Sequence, residues 1–321
     1  MLGSDPLIQF DAGLTPPGWE PVGNQPVYTA ETVWQLGKDT GWIEWYLDHR
    51  FTDPNLPFRF VQLGQENSFG WSAMYLGYRR QVLKVSERVE AGLIEVVPAS
   101  EVGERFASRY VTTPAQSWIA AQPHAYAGSI DGGVWYNGPR YRANIVWDTD
   151  EVWFRDIRLF HSDLDEPYLA TRCTTDGMKY ENPAFVDGYL WSGGGTRAGL
   201  SFTDGTGTAL TPNTVTTESS DDDTTVVQTV FSDRTIITRL SPGGISFESS
   251  NDRSSPDGWR LTLRHGDAGA LPTFTVDDER VLVRSDSLGT VHITAEIGIF
   301  TPIDGGYAIE PEDGRVVLVF P

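Results

Sequence analysis

From about residue 198 onward the chain is a succession of short Val-, Ile-, Thr- and Phe-rich runs cut by Gly, Pro, Asp and Ser clusters. That spacing leaves room for little except antiparallel β-structure. The runs are Ala198–Phe202, Thr225–Phe231, Thr235–Leu240, Ile245–Glu248, Trp259–His265, Arg280–Arg284, Thr290–Ile297 and Arg315–Phe320. In Trp259–His265 strict alternation sets Trp259, Leu261 and Leu263 on one face and Arg260, Thr262 and Arg264 on the other, as a half-buried strand requires. The polar stretch Thr211–Thr224 reads as a long exposed hairpin loop or a linker between two sheets.

The first half is more aromatic and less regular. Trp42–Leu47, Phe58–Leu63 and Asp150–Phe160 fit strands better than helices, because aromatic and β-branched residues dominate them. Val152, Phe154, Ile157 and Leu159 fall out of strict phase, which predicts a bulge near Arg155-Asp156. Ser100 is placed to cap a helix over Glu101–Tyr110, with Glu101 and Glu104 in its first turn. Arg79–Leu93 carries Val82, Val85, Val89 and Leu93 at helical spacing, but its valines suit a strand almost as well. The fold expected is all-β, of antiparallel sandwich or jelly-roll-like sheets with one or two short helices in the N-terminal half. Its divisions are an extended arm over 1–25 with the Pro-rich Thr15–Pro21, an aromatic-rich β domain over 26–205 with a short helix near 100–110, and a C-terminal sandwich over 225–321.

Charge narrows the partners. The chain has 24 basic and 44 acidic residues, a net charge of −20, and only Lys38, Lys84 and Lys179 among its cations are lysine. Such a surface repels phosphate backbones and anionic lipid, and no basic run offsets it, so nucleic acid is not an expected partner. Excess carboxylate also keeps a protein hydrated in concentrated salt, where screening relieves self-repulsion; a halophilic or salt-tolerant source is the expectation, against the plainer account of a GC-rich genome. No apolar stretch is long enough to span a bilayer. No secretory leader pattern opens the sequence, which reads as cytoplasmic synthesis, with a virion as destination if the chain belongs to one.

Candidate chemistry is sparse. One cysteine, Cys173, excludes an internal disulfide and a cysteine-rich zinc site, and the five histidines show no metal-binding spacing, so no metal or cofactor is expected. Gly-x-Ser-x-Gly is absent, and Ser192–Arg197 lacks the Lys-Ser/Thr of a phosphate cradle, so it reads as a glycine hairpin turn. Glycoside cleavage needs two carboxyls, and Asp148, Asp150, Glu151 and Glu166 are the candidates, with Asp148 and Asp150 on one side if the segment is a strand. Trp135, Tyr136, Tyr141, Trp147 and Trp153 are the matching sugar-stacking candidates. Against this stands the local balance of charge. Arg140, Arg142, Arg155 and Arg158 alternate with the carboxylates, which are expected to be solvated or salt-bridged to such arginines and not to form a catalytic pair, since pairing spoils a general acid.

The function expected is therefore a non-enzymatic structural or adhesive subunit of a larger assembly, such as a tail, baseplate or capsid-associated virion component. Its partners would be other protein subunits, as a homo- or hetero-oligomer. The alternative is a glycan-active sandwich, a hydrolase or carbohydrate-binding module, with a cell-surface glycan as ligand.

Overall fold

In the computed structural model, described over residues 4–9, 27–29, 41–52, 55–61, 70–120, 130–160, 171–172, 174, 183–188, 191–193, 195–220, 223–250, 258–266, 273–285, 289–304 and 306–320, antiparallel strands dominate. A two-stranded ribbon joins β1 (Ser4–Gln9) to β2 (Val27–Thr29). Among the described residues three helices follow: α1 (Gly41–Thr52), α2 (Trp71–Glu90) and α3 (Ala99–Arg109). Then come β3 (Gln116–Ala120), β4 (Gly132–Asn137), β5 (Tyr141–Trp147), β6 (Val152–Leu159), β7 (Ala184–Asp187) and β8 (Gly199–Asp204). The meander β9 (Thr214–Ser219), β10 (Thr225–Val230), β11 (Thr235–Ser241) and β12 (Gly244–Ser249) leads to β13 (Trp259–Arg264). Last are β14 (Thr273–Val276), β15 (Arg280–Ser285), β16 (Gly289–Ile297), β17 (Ile299–Ile303), β18 (Gly306–Glu310) and β19 (Arg315–Val319).

Two large sheets form a sandwich. One has eight strands in the order β14-β15-β16-β19-β12-β11-β10-β9. The other has nine, β17-β18-β13-β8-β6-β5-β4-β3, with β7 pairing β6 beside β8. The inward faces share one core, where Phe154, Phe202, Phe247 and Trp259 meet ring to ring at centroid distances of 5.8 to 6.5 Å. All eight C-terminal runs read from the sequence are strands, and Trp259, Leu261 and Leu263 face the core. The chain between β8 and β9, expected to separate two domains, passes from the nine-stranded sheet into the eight-stranded one. β13, β17 and β18 later return to the first sheet.

The bulge near Arg155 is present: Asn144 pairs Asp156 while Ile145 pairs Phe154, so Arg155 is the extra residue. It restores the phase that puts Val152, Phe154, Ile157 and Leu159 all in the core.

Four expectations are corrected. Trp42–Leu47 is helix, not strand; Trp42, Ile43, Tyr46, Leu47 and Arg50 are buried at helical spacing against Trp118, Ala120 and Trp135 on the outer face of β3 and β4. The described part of Phe58–Leu63 has no strand, because Phe58 is used to pack edge-on against Phe106 of α3. Within Thr211–Thr224, Thr214–Ser219 is the edge strand β9, whose β-branched threonines favour the ladder with β10 and whose single apolar residue, Val215, packs against the core. Ser100 does not cap α3: the Pro98 carbonyl accepts from the amides of Glu101 and Val102 at 3.0 and 3.2 Å, and Ser100 lies inside the first turn. The helical option for Arg79–Leu93 holds in the form of α2. The arm segment Thr15–Pro21, Cys173 and Glu166 lie outside the described residues.

Candidate functional site

The outer face of the nine-stranded sheet carries charge where a sandwich ordinarily carries solvated side chains. Asp148 opens the turn between β5 and β6, and its Oδ1 accepts from the amides of Asp150 and Glu151, both at 2.9 Å. Asp148 and Asp150 therefore sit in a turn and not on one side of a strand, a correction that follows from aspartate's habit of bonding the backbone two and three residues on. Asp150 is exposed, while Asp148 and Glu151 are each only 6% accessible.

Glu151 accepts from two guanidinium groups, Arg197 and Arg264. Arg197 also lies 3.7 Å from Asp148 Oδ2 and stacks over the indole of Trp153. Arg264 donates in addition to Ser201 Oγ at 2.7 Å. Farther along the same face a second group forms. Arg142 grips Asp156 through Nε at 2.9 Å and Nη2 at 3.2 Å, and Arg158 bridges Asp156 and Asp187. Burial works against the Arg158 charge, but Asp156 and Asp187 outweigh it and its pKa is raised. Arg155, the bulge residue, donates to Asn144 Oδ1 at 2.7 Å, and Asn144 donates to the Val134 carbonyl.

Asp148 and Glu151 are thus arginine-paired, though by other arginines than those expected, while Asp150 is exposed to solvent, the other state expected. Arg140 donates to the Phe320 carbonyl, Arg142 and Arg158 hold Asp156, and Glu151 is held from β13 and from the turn preceding β8. Arg197, Arg264 and Asp187 went unforeseen. Arg264 was legible as facing away from the core, since β13 alternates; which acidic residue the sheet sets opposite it was not.

Such an arrangement holds charge in place. A glycosidase acid needs an apolar, arginine-free setting that favours the protonated form. The five aromatic candidates are also sealed, at 0 to 7% exposure. Tyr136, Tyr141 and Trp147 line the inter-sheet core, Trp153 lies beneath Arg197, and Trp135 packs under α1 with Arg142 over its ring. None presents a face to a sugar, because each large ring fills either the space between sheets or the seam under a helix. Tyr141 is held far above its usual pKa by burial, and its hydroxyl donates to the Gly244 carbonyl at 2.9 Å. The Ser192–Arg197 segment is a hairpin turn, as expected, with Gly193 and Thr196 exchanging both backbone bonds.

The helices supply the other features. Glu44 of α1 pairs Arg80 and Lys84 of α2, and Asp48 pairs Arg88, so these helices are clamped by charge above the Trp42 cluster. Beside α3 lies a cleft of about 470 Å³ lined by Phe58, Phe60, Val102, Phe106 and Arg50. Arg50 is committed there: its Nε donates to the Phe60 carbonyl and its guanidinium lies 5.1 Å from the Trp118 ring centre. Among the described residues no three His, Cys, Asp or Glu side chains come together as a metal group, and no helix is long and apolar enough to cross a membrane. No family model, no curated protein and no solved structure matches the chain.

The largest departure from an ordinary surface is on α2. Trp71 is 61% exposed, and Tyr75, Leu76, Val82, Leu83 and Val89 are all exposed too, followed by Leu93 and Val96 at 72% each. Val82, Val89 and Leu93, read from their spacing as one face of a helix, do not face the core.

Proposed function

We propose that this chain is a non-catalytic structural or adhesive subunit of a larger protein assembly. The observation that carries this reading is the exposed apolar face of α2 and the segment after it. Large contiguous apolar surface on a folded chain marks a place where another macromolecule sits. The paired state of Asp148, Glu151, Asp156 and Asp187 supports the non-catalytic side, and the burial of Trp135, Tyr136, Tyr141, Trp147 and Trp153 removes the platform a glycan-active reading needs. A virion component of a salt-tolerant system remains the form of assembly we favour: the all-β build suits the first part and the acidic, lysine-poor composition the second.

Sedimentation velocity of the purified chain at 1 to 100 µM and at 0.1 to 2 M KCl tests the reading. Species larger than 35.5 kDa are expected. A monomer throughout, together with hydrolysis or saturable binding of an oligosaccharide, would replace it.

A further inference from the structure

We infer that α2 is a self-association surface, pairing antiparallel with α2 of a second copy across a two-fold axis that passes between Val82 and Leu83. The inference rests on the assembly reading and deepens it by naming the surface and the partner.

The geometry begins with helical angle. At 100° per residue, Trp71, Tyr75, Val82 and Val89 fall within about 40° of one another, and Leu76 and Leu83 lie about 100° farther round, with Arg79 between the two rows. The opposite side of α2, including Met74 and Gln81, is buried against the body of the protein. A twenty-residue helix is about 30 Å long, so the free face is a continuous strip along its whole length.

Reversed about the point between Val82 and Leu83, the strip sets Val82 against Leu83 of the second copy and Leu76 against Val89, with Tyr75 opposite Glu90. Charge selects the same direction. Arg79 is exposed and makes no ion pair among the described residues, while Glu87 and Glu90 stand exposed in the last turns. Antiparallel pairing brings Arg79 toward Glu87 and Glu90 of the second copy, whereas parallel pairing sets Arg79 against Arg79. With Leu93 and Val96 included, the exposed apolar side chains offer on the order of 700 Å², close to one partner's share of a standard interface.

An apolar contact between copies each carrying −20 gains strength as salt screens their repulsion. At 50 µM a dimer is expected in 1 M KCl, less populated in 0.1 M. Val82→Glu, an exposed substitution that leaves the fold intact by circular dichroism, is expected to weaken it about 100-fold, since it sets two carboxylates at the axis. In a Cys173→Ser background, mild oxidation of Val82→Cys is expected to give a disulfide-linked dimer. Ser72→Cys is expected to give none, because the axis holds its two copies roughly 30 Å apart.

A wild-type monomer at 50 µM in 1 M KCl overturns the inference; the assembly reading falls with it only if the chain also hydrolyses or saturably binds an oligosaccharide. Association that survives Val82→Glu, or cross-linking through Ser72→Cys, overturns the α2 axis and leaves the assembly reading standing.

Discussion

Arg197 lies over Trp153, its guanidinium carbon 3.7 Å from the ring centre, while its Nη2 pairs with the carboxylate of Glu151. One side chain thus closes a hydrophobic surface and neutralises a buried charge at once. Replacing Arg197 with Lys keeps the charge and loses the planar contact, and about 1 kcal/mol of stability should go with it. Glu151→Gln removes the charge that two guanidinium groups share and should cost more, about 2 to 3 kcal/mol. Urea denaturation of both single variants and the double variant measures this; losses that simply add would show that the two groups do not act together.

Glu44 titrates with the helix pair. The hydrogen bond from Lys84, 3.1 Å away, holds its carboxyl below the ordinary 4.5, against burial and with help from Arg80. A depressed carboxyl contributes stability that is present above its unfolded value and is lost as pH falls through the lower folded one. Far-UV circular dichroism should therefore show a loss of α1–α2 stability beginning as pH drops below about 4.5. Glu44→Gln should remove that step and lower stability at pH 7 by a few tenths of a kcal/mol, the screened value of a half-exposed pair. An unchanged acid transition in the variant would assign it to other carboxylates.

Two glycines should respond in opposite directions. A Cβ on Gly266 would lie 2.2 Å from the backbone N and O of Gly193, so Gly266→Ala forces the two segments apart and should cost about 2 kcal/mol or more. Gly103, in the interior of α3, would meet nothing within 4 Å. Gly103→Ala should stabilise the protein by about 0.5 to 1 kcal/mol through helix propensity. Paired thermal melts decide, and a neutral Gly266→Ala would mean the contact is loose.

The aromatic group between the sheets should dominate global stability. Phe247 contacts Phe154, Phe202 and Trp259, and truncation to Ala should cost about 3 to 5 kcal/mol. A loss under 1 kcal/mol would mean the sheets close over the void.

The self-repulsion of −20 should appear in the melting temperature, which is expected to rise by several degrees between 0.1 and 2 M KCl at a fixed state of association. A midpoint that stays or falls would rule out salt adaptation.

The strands were legible where alternation was strict. β13 was read residue by residue because its two faces differ sharply in polarity, and the bulge at Arg155 because four core residues could share a face only with one extra residue between them. α1 was misread on composition, since Trp and Tyr raise strand propensity while their i, i+4 spacing, as in Trp42 and Tyr46, is that of a helix. β17 and β18 were missed although Asp304-Gly305 between them is a hairpin signal, because Pro302 breaks the first run and Gly306 and Ala308 dilute the second. The partners of Glu151 lie 46 and 113 residues away, and no local pattern points across such a distance.

β19 is the seam of the eight-stranded sheet. It lies between β12 and β16, joining the β9–β12 meander to the β14–β16 meander. Each meander can zip from local hairpins, but both keep an unsatisfied edge until the strand at 315–319 arrives. Assembly should therefore be slow relative to hairpin formation, with its rate set by one late, long-range docking event. During that interval the bare edges of β12 and β16 are open to strands of other chains, so yield on refolding should fall with protein concentration more steeply than final stability would suggest.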